Sequence, residues 1–117
     1  MMIQIHSDNH VAVHAPLAQF VEVQVQQSLR RFGAQVTRVA VHLSDEDGEK
    51  VGAADKRCMM EVRFAGYPPM SVTGSAPSLH QAVTQASGRM KRLLASSLGR
   101  RPAQRFAESV RYATDIA

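Results

Sequence analysis

Apolar residues alternate, then recur at helical spacing, then alternate again along this chain. Ile3 and Ile5 share one face of Met2–His6 while Gln4 and His6 take the other, the period of a short strand. Ser7-Asp8-Asn9 reads as a turn. From Pro16, a residue suited to a first helical turn, Leu17, Val21, Val25, Leu29 and Phe32 form one stripe with Phe20 beside them, and Gly33 closes it. Inside that stripe Val21-Glu22-Val23-Gln24-Val25-Gln26 alternates like a β-branched strand. The stripe outlasts the alternation and leaves Val23 as its clear outlier, so the segment is expected to be a helix.

Val36–Leu43 alternates again, with Val39, Val41 and Leu43 on one face and Arg38, Ala40 and His42 on the other. Residues 44–56 are polar, acidic in their first half, and read as a loop. Arg57–Ala65 puts Cys58, Met60, Val62 and Phe64 inward and Arg57, Met59, Glu61 and Arg63 outward. Gly66-Tyr67-Pro68-Pro69 turns the chain into a last strand, Met70–Ser75. Ser78 then caps a long helix with Leu79, Val83, Ala86, Met90, Leu93, Leu94 and Leu98 at helical spacing, stopped by Gly99. Gly88, inside that helix, costs roughly 1 kcal/mol against Ala and leaves room for something to approach.

The order β-α-β-β-β-α, with one apolar face on every strand, predicts an α+β fold. Its four-stranded mixed sheet should carry both helices on the same side. The first βαβ unit is expected to be a parallel crossover, followed by antiparallel hairpins. Gln4, His6, Arg38, His42, Arg57, Glu61, Arg63 and Thr73 should then line the open face. Residues 1–99 form the expected domain and 100–117 a basic, flexible tail.

Composition narrows the class. The 117 residues, 44% apolar, suit one domain with its own core. A single cysteine, Cys58, cannot form an internal disulfide, which points to a reducing compartment. No export signal or membrane span is evident, so a cytoplasmic protein is expected. The net charge of +4 is unevenly placed: residues 1–88 carry seven basic and eight acidic groups, residues 89–117 seven and two. Eleven of the fourteen basic residues are Arg, the side chain suited to bidentate phosphate contacts.

Catalytic patterns are missing: there is no GxSxG, HExxH, P-loop or GxGxxG. The five histidines are scattered, and the acidic run Asp45, Glu46, Asp47 and Glu49 lacks the spacing of a calcium loop. Cys58 sits at an inward strand position with no base placed to activate it, so a core thiol is the expected reading. No enzyme activity, cofactor, metal or small-molecule substrate is expected.

The basic side chains carry the functional reading. Arg89 and Arg92 are three apart on the last helix, with Lys91 on the opposite flank. Arg100 and Arg101 continue the charge past the helix end, and Arg30 and Arg31 end the first helix. Helices packed side by side would gather these groups into a basic ridge or groove for phosphates. The plain alternative is a solvated face with cations at helix C-termini. A KH-type GXXG clamp and the exposed aromatic pairs of an RRM are both missing, so contact with phosphates and folded RNA shape is favoured over base reading. The rival class is a protein–protein module, a homodimer included, pairing through the open sheet face or an edge strand.

From Met2 to about Gly99 the sequence resembles the ribosome hibernation-promoting factor / ribosome-associated inhibitor A family, the sigma-54 modulation group. The opening MIQIHSDNHVAVHAPLAQFV looks like the family's first strand, Asn turn and helix entry, with Leu17, Phe20 and Val21 in register. VTRVAVHL is similar to its second strand, and SLHQAVTQASGRMKRLL to its last helix. The resemblance implies a fold like that of double-stranded-RNA-binding domains. It also implies docking of basic helices on small-subunit rRNA, which silences idle ribosomes. Arg89 and Arg92 fall on the family's basic helix positions, with Lys91 between them. The chain departs from the pattern in three respects. Gln19, Gln24, Gln26 and Gln27 occupy a first helix that is usually lysine-bearing, loop 44–56 is longer than in the short members, and nothing resembles the C-terminal dimerisation domain of the long members.

Overall fold

The computed structural model describes residues 1–8, 11–45 and 56–99. Strand β1 (Met2–Ser7) leads to helix α1 (Ala15–Leu29), which passes through a 3₁₀ segment (Arg30–Gln35) into β2 (Val36–Asp45). Strands β3 (Lys56–Phe64) and β4 (Met70–Ala76) follow, then helix α2 (Leu79–Gly99). The sheet order is β1-β2-β3-β4, with β1 and β2 parallel and the remaining pairs antiparallel. This is the mixed α+β sheet that the hydrophobic pattern predicted. The expected tail, 100–117, lies outside the described residues.

One core joins the sheet to both helices. Val39, Val41, Leu43, Cys58, Met60, Val62 and Phe64 face Leu17, Val21, Val25 and Leu29 of α1 and Ala82, Val83, Ala86, Met90 and Leu94 of α2. The helical stripe prevails over the local alternation at 21–26: Val21 and Val25 are fully buried, while Val23 is 43% exposed. Burying four aliphatic side chains of one stripe outweighs the weak strand preference of β-branched residues.

Local chemistry sets the element ends. The His14 side chain caps α1, its Nδ1 accepting from the Leu17 N–H at 3.2 Å. α1 tightens into the 3₁₀ turn at Arg30 rather than running on as α-helix to Gly33, where φ of 57° reverses the chain toward β2. Ser78 caps α2 as expected: its Oγ accepts from the Gln81 N–H and donates to Gln81 Oε1, both at 3.1 Å. Strands β2 and β3 extend past the predicted loop boundaries to Asp45 and Lys56, which are register partners. Their side chains make a 3.4 Å ion pair that closes the end of the hairpin.

The close approach of α2 to β4 rests on small residues. A Cβ placed on Gly74 would stand 2.5 Å from the Ala82 carbonyl oxygen and 2.8 Å from the Ala86 nitrogen. Gly74 is buried beneath the helix, and backbone meets backbone there. α2 is thereby pinned over the β3–β4 half of the sheet.

Candidate nucleic-acid interface

The chain path brings both helix C-termini to one end of the molecule. α1 connects the parallel strands β1 and β2, so it runs against them. α2 runs back along β4, because Ser75 meets Gln85 and Thr73 meets Arg89. The two helices are therefore parallel to each other. The rings of Phe20 and His80, 4.4 Å apart and tilted by 51°, hold their first halves together. Ten residues further, roughly 15 Å along each axis, α1 gives way to Arg30 and Arg31 while α2 reaches Arg89, Lys91 and Arg92.

All five of those side chains are exposed. None forms an ion pair among the described residues. The Arg31 guanidinium carbon stands 5.1 Å from the Phe32 ring centroid, a cation–π contact that still leaves its N–H groups to water. Lys91 follows His80 by three helical turns, so it lies on the flank of α2 that meets α1. Arg92 is on the outer side, and its guanidinium lies across Gly88: a Cβ there would stand 3.6 Å from Arg92 Nη1. The space the sequence offered at Gly88 is thus taken by this chain's own arginine.

Arg89 has a second role that its spacing concealed. Its Nη1 donates to the backbone carbonyl of Thr73 in β4. One turn earlier, Gln85 Oε1 accepts from the Ser75 N–H at 2.8 Å. β4 is an edge strand, and two side chains of α2 satisfy two of its outward groups, the Ser75 N–H and the Thr73 C=O. A sheet edge left open invites another strand; this one is closed at Thr73 and Ser75. Arg100 and Arg101, assigned to the same surface from sequence, lie outside the described residues.

The open face of the sheet carries Gln4, His6, Arg38, His42, Arg57, Glu61, Arg63 and Thr73, as the alternation predicted. There the parallel register sets His6 opposite His42, and their rings stack at 4.8 Å with 16° between the planes. Two histidines 36 residues apart give no sequence signal of this pairing; the register of β1 against β2 creates it. Cys58, on the other face, is fully buried, and desolvation pushes its thiol pKa up to about 12. It is a core residue, as its inward strand position implied. Among the described residues no group of three or more His, Cys, Asp or Glu side chains is placed to hold a metal ion. No helix among them is long and apolar enough to cross a membrane.

A four-stranded mixed sheet with two parallel helices on one side, and a polar other side that no described element covers, defines a small α+β domain. The model of the Sigma 54 modulation protein / S30EA ribosomal protein family matches residues 3–101, and the chain belongs to that family. Among solved structures it is similar to the N-terminal domain of protein Y from Thermus thermophilus, at 20% identity and a TM-score of 0.67. That match covers 82% of this chain and 98% of the other. It is also similar to a ribosomal subunit interface protein from Coxiella burnetii, at 12% identity and a TM-score of 0.64, covering 82% and 96%. At these identities the likeness concerns the fold. No curated protein matches the chain by sequence. The family is one of ribosome-associated modulation proteins, and this chain is one of them.

Proposed function

We propose that the protein docks on small-subunit rRNA through the side of the molecule that carries its helices and keeps idle ribosomes out of translation. On this reading it acts in the cytoplasm, as a binding factor rather than an enzyme. The observation that supports it is the set of exposed cations, without carboxylate partners among the described residues, toward one end of two parallel helices: Arg30 and Arg31 from α1, Lys91 and Arg92 from α2. Arg89 contributes from the β4 side, with one nitrogen already given to Thr73, and Arg100 and Arg101 follow in the chain. Guanidinium groups in water suit the phosphates of folded RNA, where each contact releases a counterion.

The rival reading, pairing with a protein through the open sheet face or an edge strand, is weakened at the β4 edge, where Gln85 and Arg89 occupy the Ser75 N–H and the Thr73 C=O. Co-sedimentation with purified small subunits tests the proposal. Binding that weakens with salt and with loss of Arg92 supports it; binding indifferent to both contradicts it.

A further inference from the structure

On the face opposite the helices, two arginines stand where a sheet on its own would avoid them. Arg38 of β2 and Arg63 of β3 are direct register partners on the open face. Neither forms an ion pair among the described residues. Like charges directly opposite each other destabilise a sheet, a cost that an anion bridging the two guanidinium groups would reverse. Among the described strand residues, the charged groups of this face are Arg38, Arg57 and Arg63 with Glu61.

Four residues along β2 from Arg38 lies His42, stacked on His6 of the neighbouring β1. β1 is the edge strand, so the outer face of the exposed His6 ring borders solvent at the rim of the sheet. Beside it is a shallow depression of about 270 Å³ lined by His6, Ser7, Asp8, His42, Leu43 and Ser44. Imidazole rings are among the platforms on which unpaired bases stack. The Asp8 carboxylate at this end disfavours a phosphate, which directs the backbone toward the arginine end.

We infer that the open sheet face is a second, separate binding site, for single-stranded nucleic acid. One base continues the His6–His42 stack, and the Arg38–Arg63 pair holds a phosphate farther along the same strand of nucleic acid. The two features are on the order of 13 Å apart along the strand direction, with a lateral offset of one strand spacing, about 5 Å. That span is about four nucleotides at the ~3.4 Å step of a stacked chain. Stacking rings plus a cationic track is the general chemistry of single-strand binding without sequence preference. This inference does not rest on the helix-side reading, since it uses different residues on the opposite face.

The test is fluorescence anisotropy with a labelled eight-nucleotide single-stranded RNA of mixed sequence at low salt, using the full chain. The wild type should bind. Arg38→Gln with Arg63→Gln should bind at least tenfold more weakly while melting at or above the wild-type temperature, because the like-charge contact is gone. His6→Ala should weaken binding by about five- to a hundredfold, the range of a lost base stack. The His6 and His42 ring protons should move upfield as RNA is added. Wild-type affinity in these variants overturns the site, as does an abasic phosphate chain of equal length binding as tightly as the RNA. A polyglutamate peptide that displaces the RNA at equal charge would show a site for acidic protein instead. The paired arginine variant should still co-sediment with small subunits; its failure to do so overturns the separation of the two faces, whereas failure of the RNA oligomer alone leaves the helix-side proposal standing.

Discussion

Arg89 donates from α2 to the backbone carbonyl of Thr73 in the edge strand β4, so one cation of the basic surface is also part of the scaffold. Arg92, three residues on, lies over Gly88 of its own helix and makes no hydrogen bond or ion pair among the described residues. The two arginines should therefore respond differently to removal. Arg89→Ala is expected to cost about 1 kcal/mol of stability, the scale of one hydrogen bond from a charged group discounted for its exposed site, and to raise amide exchange in β4. Arg92→Ala should leave the melting temperature unchanged and weaken ribosome binding. Thermal melts and co-sedimentation of both variants separate scaffold from interface.

Two glycines, Gly74 under α2 and Gly88 within it, should give opposite results. Gly74→Ala forces a methyl group into the backbone of α2 at 2.5 Å from Ala82 and 2.8 Å from Ala86. A shift of the helix follows, at an expected loss of about 2–3 kcal/mol. Gly88→Ala meets only Arg92 Nη1, at an ordinary 3.6 Å. It should raise stability by about 1 kcal/mol through helix propensity. Urea titrations of both variants check the pair of signs.

Ser87 is fully buried, and its hydroxyl oxygen has no hydrogen-bond partner. An unpaired buried hydroxyl costs about 1–3 kcal/mol against a group of the same shape without it. Ser87→Ala is accordingly expected to stabilise the protein by about 1 kcal/mol, read from the shift in denaturant midpoint at unchanged slope. A destabilised variant would mean that the hydroxyl has a partner in solution.

Burial holds the Cys58 thiol protonated, with a pKa of about 12 against an ordinary 9.0. The folded state therefore keeps its proton through a range in which the unfolded chain releases it. Stability from this group is full below pH 9 and declines as pH rises from there toward 12. Chemical denaturation between pH 8 and pH 10.5 should show a falling midpoint, with a shallower fall in Cys58→Ala. At pH 8 the native thiol should resist alkylating reagents and react once the chain is unfolded.

The fold was legible because burial follows period. Val39-Val41-Leu43 and Cys58-Met60-Val62-Phe64 face one way without exception, and the stripe from Leu17 to Leu29 overrules the local alternation around Val23. Features that depend on tertiary approach were not legible. His14 is an unusual cap, recognisable only once its Nδ1 is seen at the Leu17 N–H. The ion pair that lengthens β2 and β3 needs the hairpin register to bring Asp45 to Lys56. Arg89 reads in the sequence as a helix cation for phosphates, and its bond to Thr73 is hidden there, since nothing in a sequence shows which turn of a helix passes over a strand edge. The stacked pair of His6 and His42 required the parallel register of β1 on β2.

The central claim is that arginine and lysine side chains of the helix side hold the protein on the ribosome through phosphates. Co-sedimentation with small subunits across a salt series measures this most directly. With about four to five phosphate contacts, log K should fall against log salt with a slope of about −3 to −4, and Arg92→Ala should reduce the steepness by a little under one unit. Binding of the wild type that holds constant from low to high salt, with Arg92→Ala indistinguishable from it, would contradict the account.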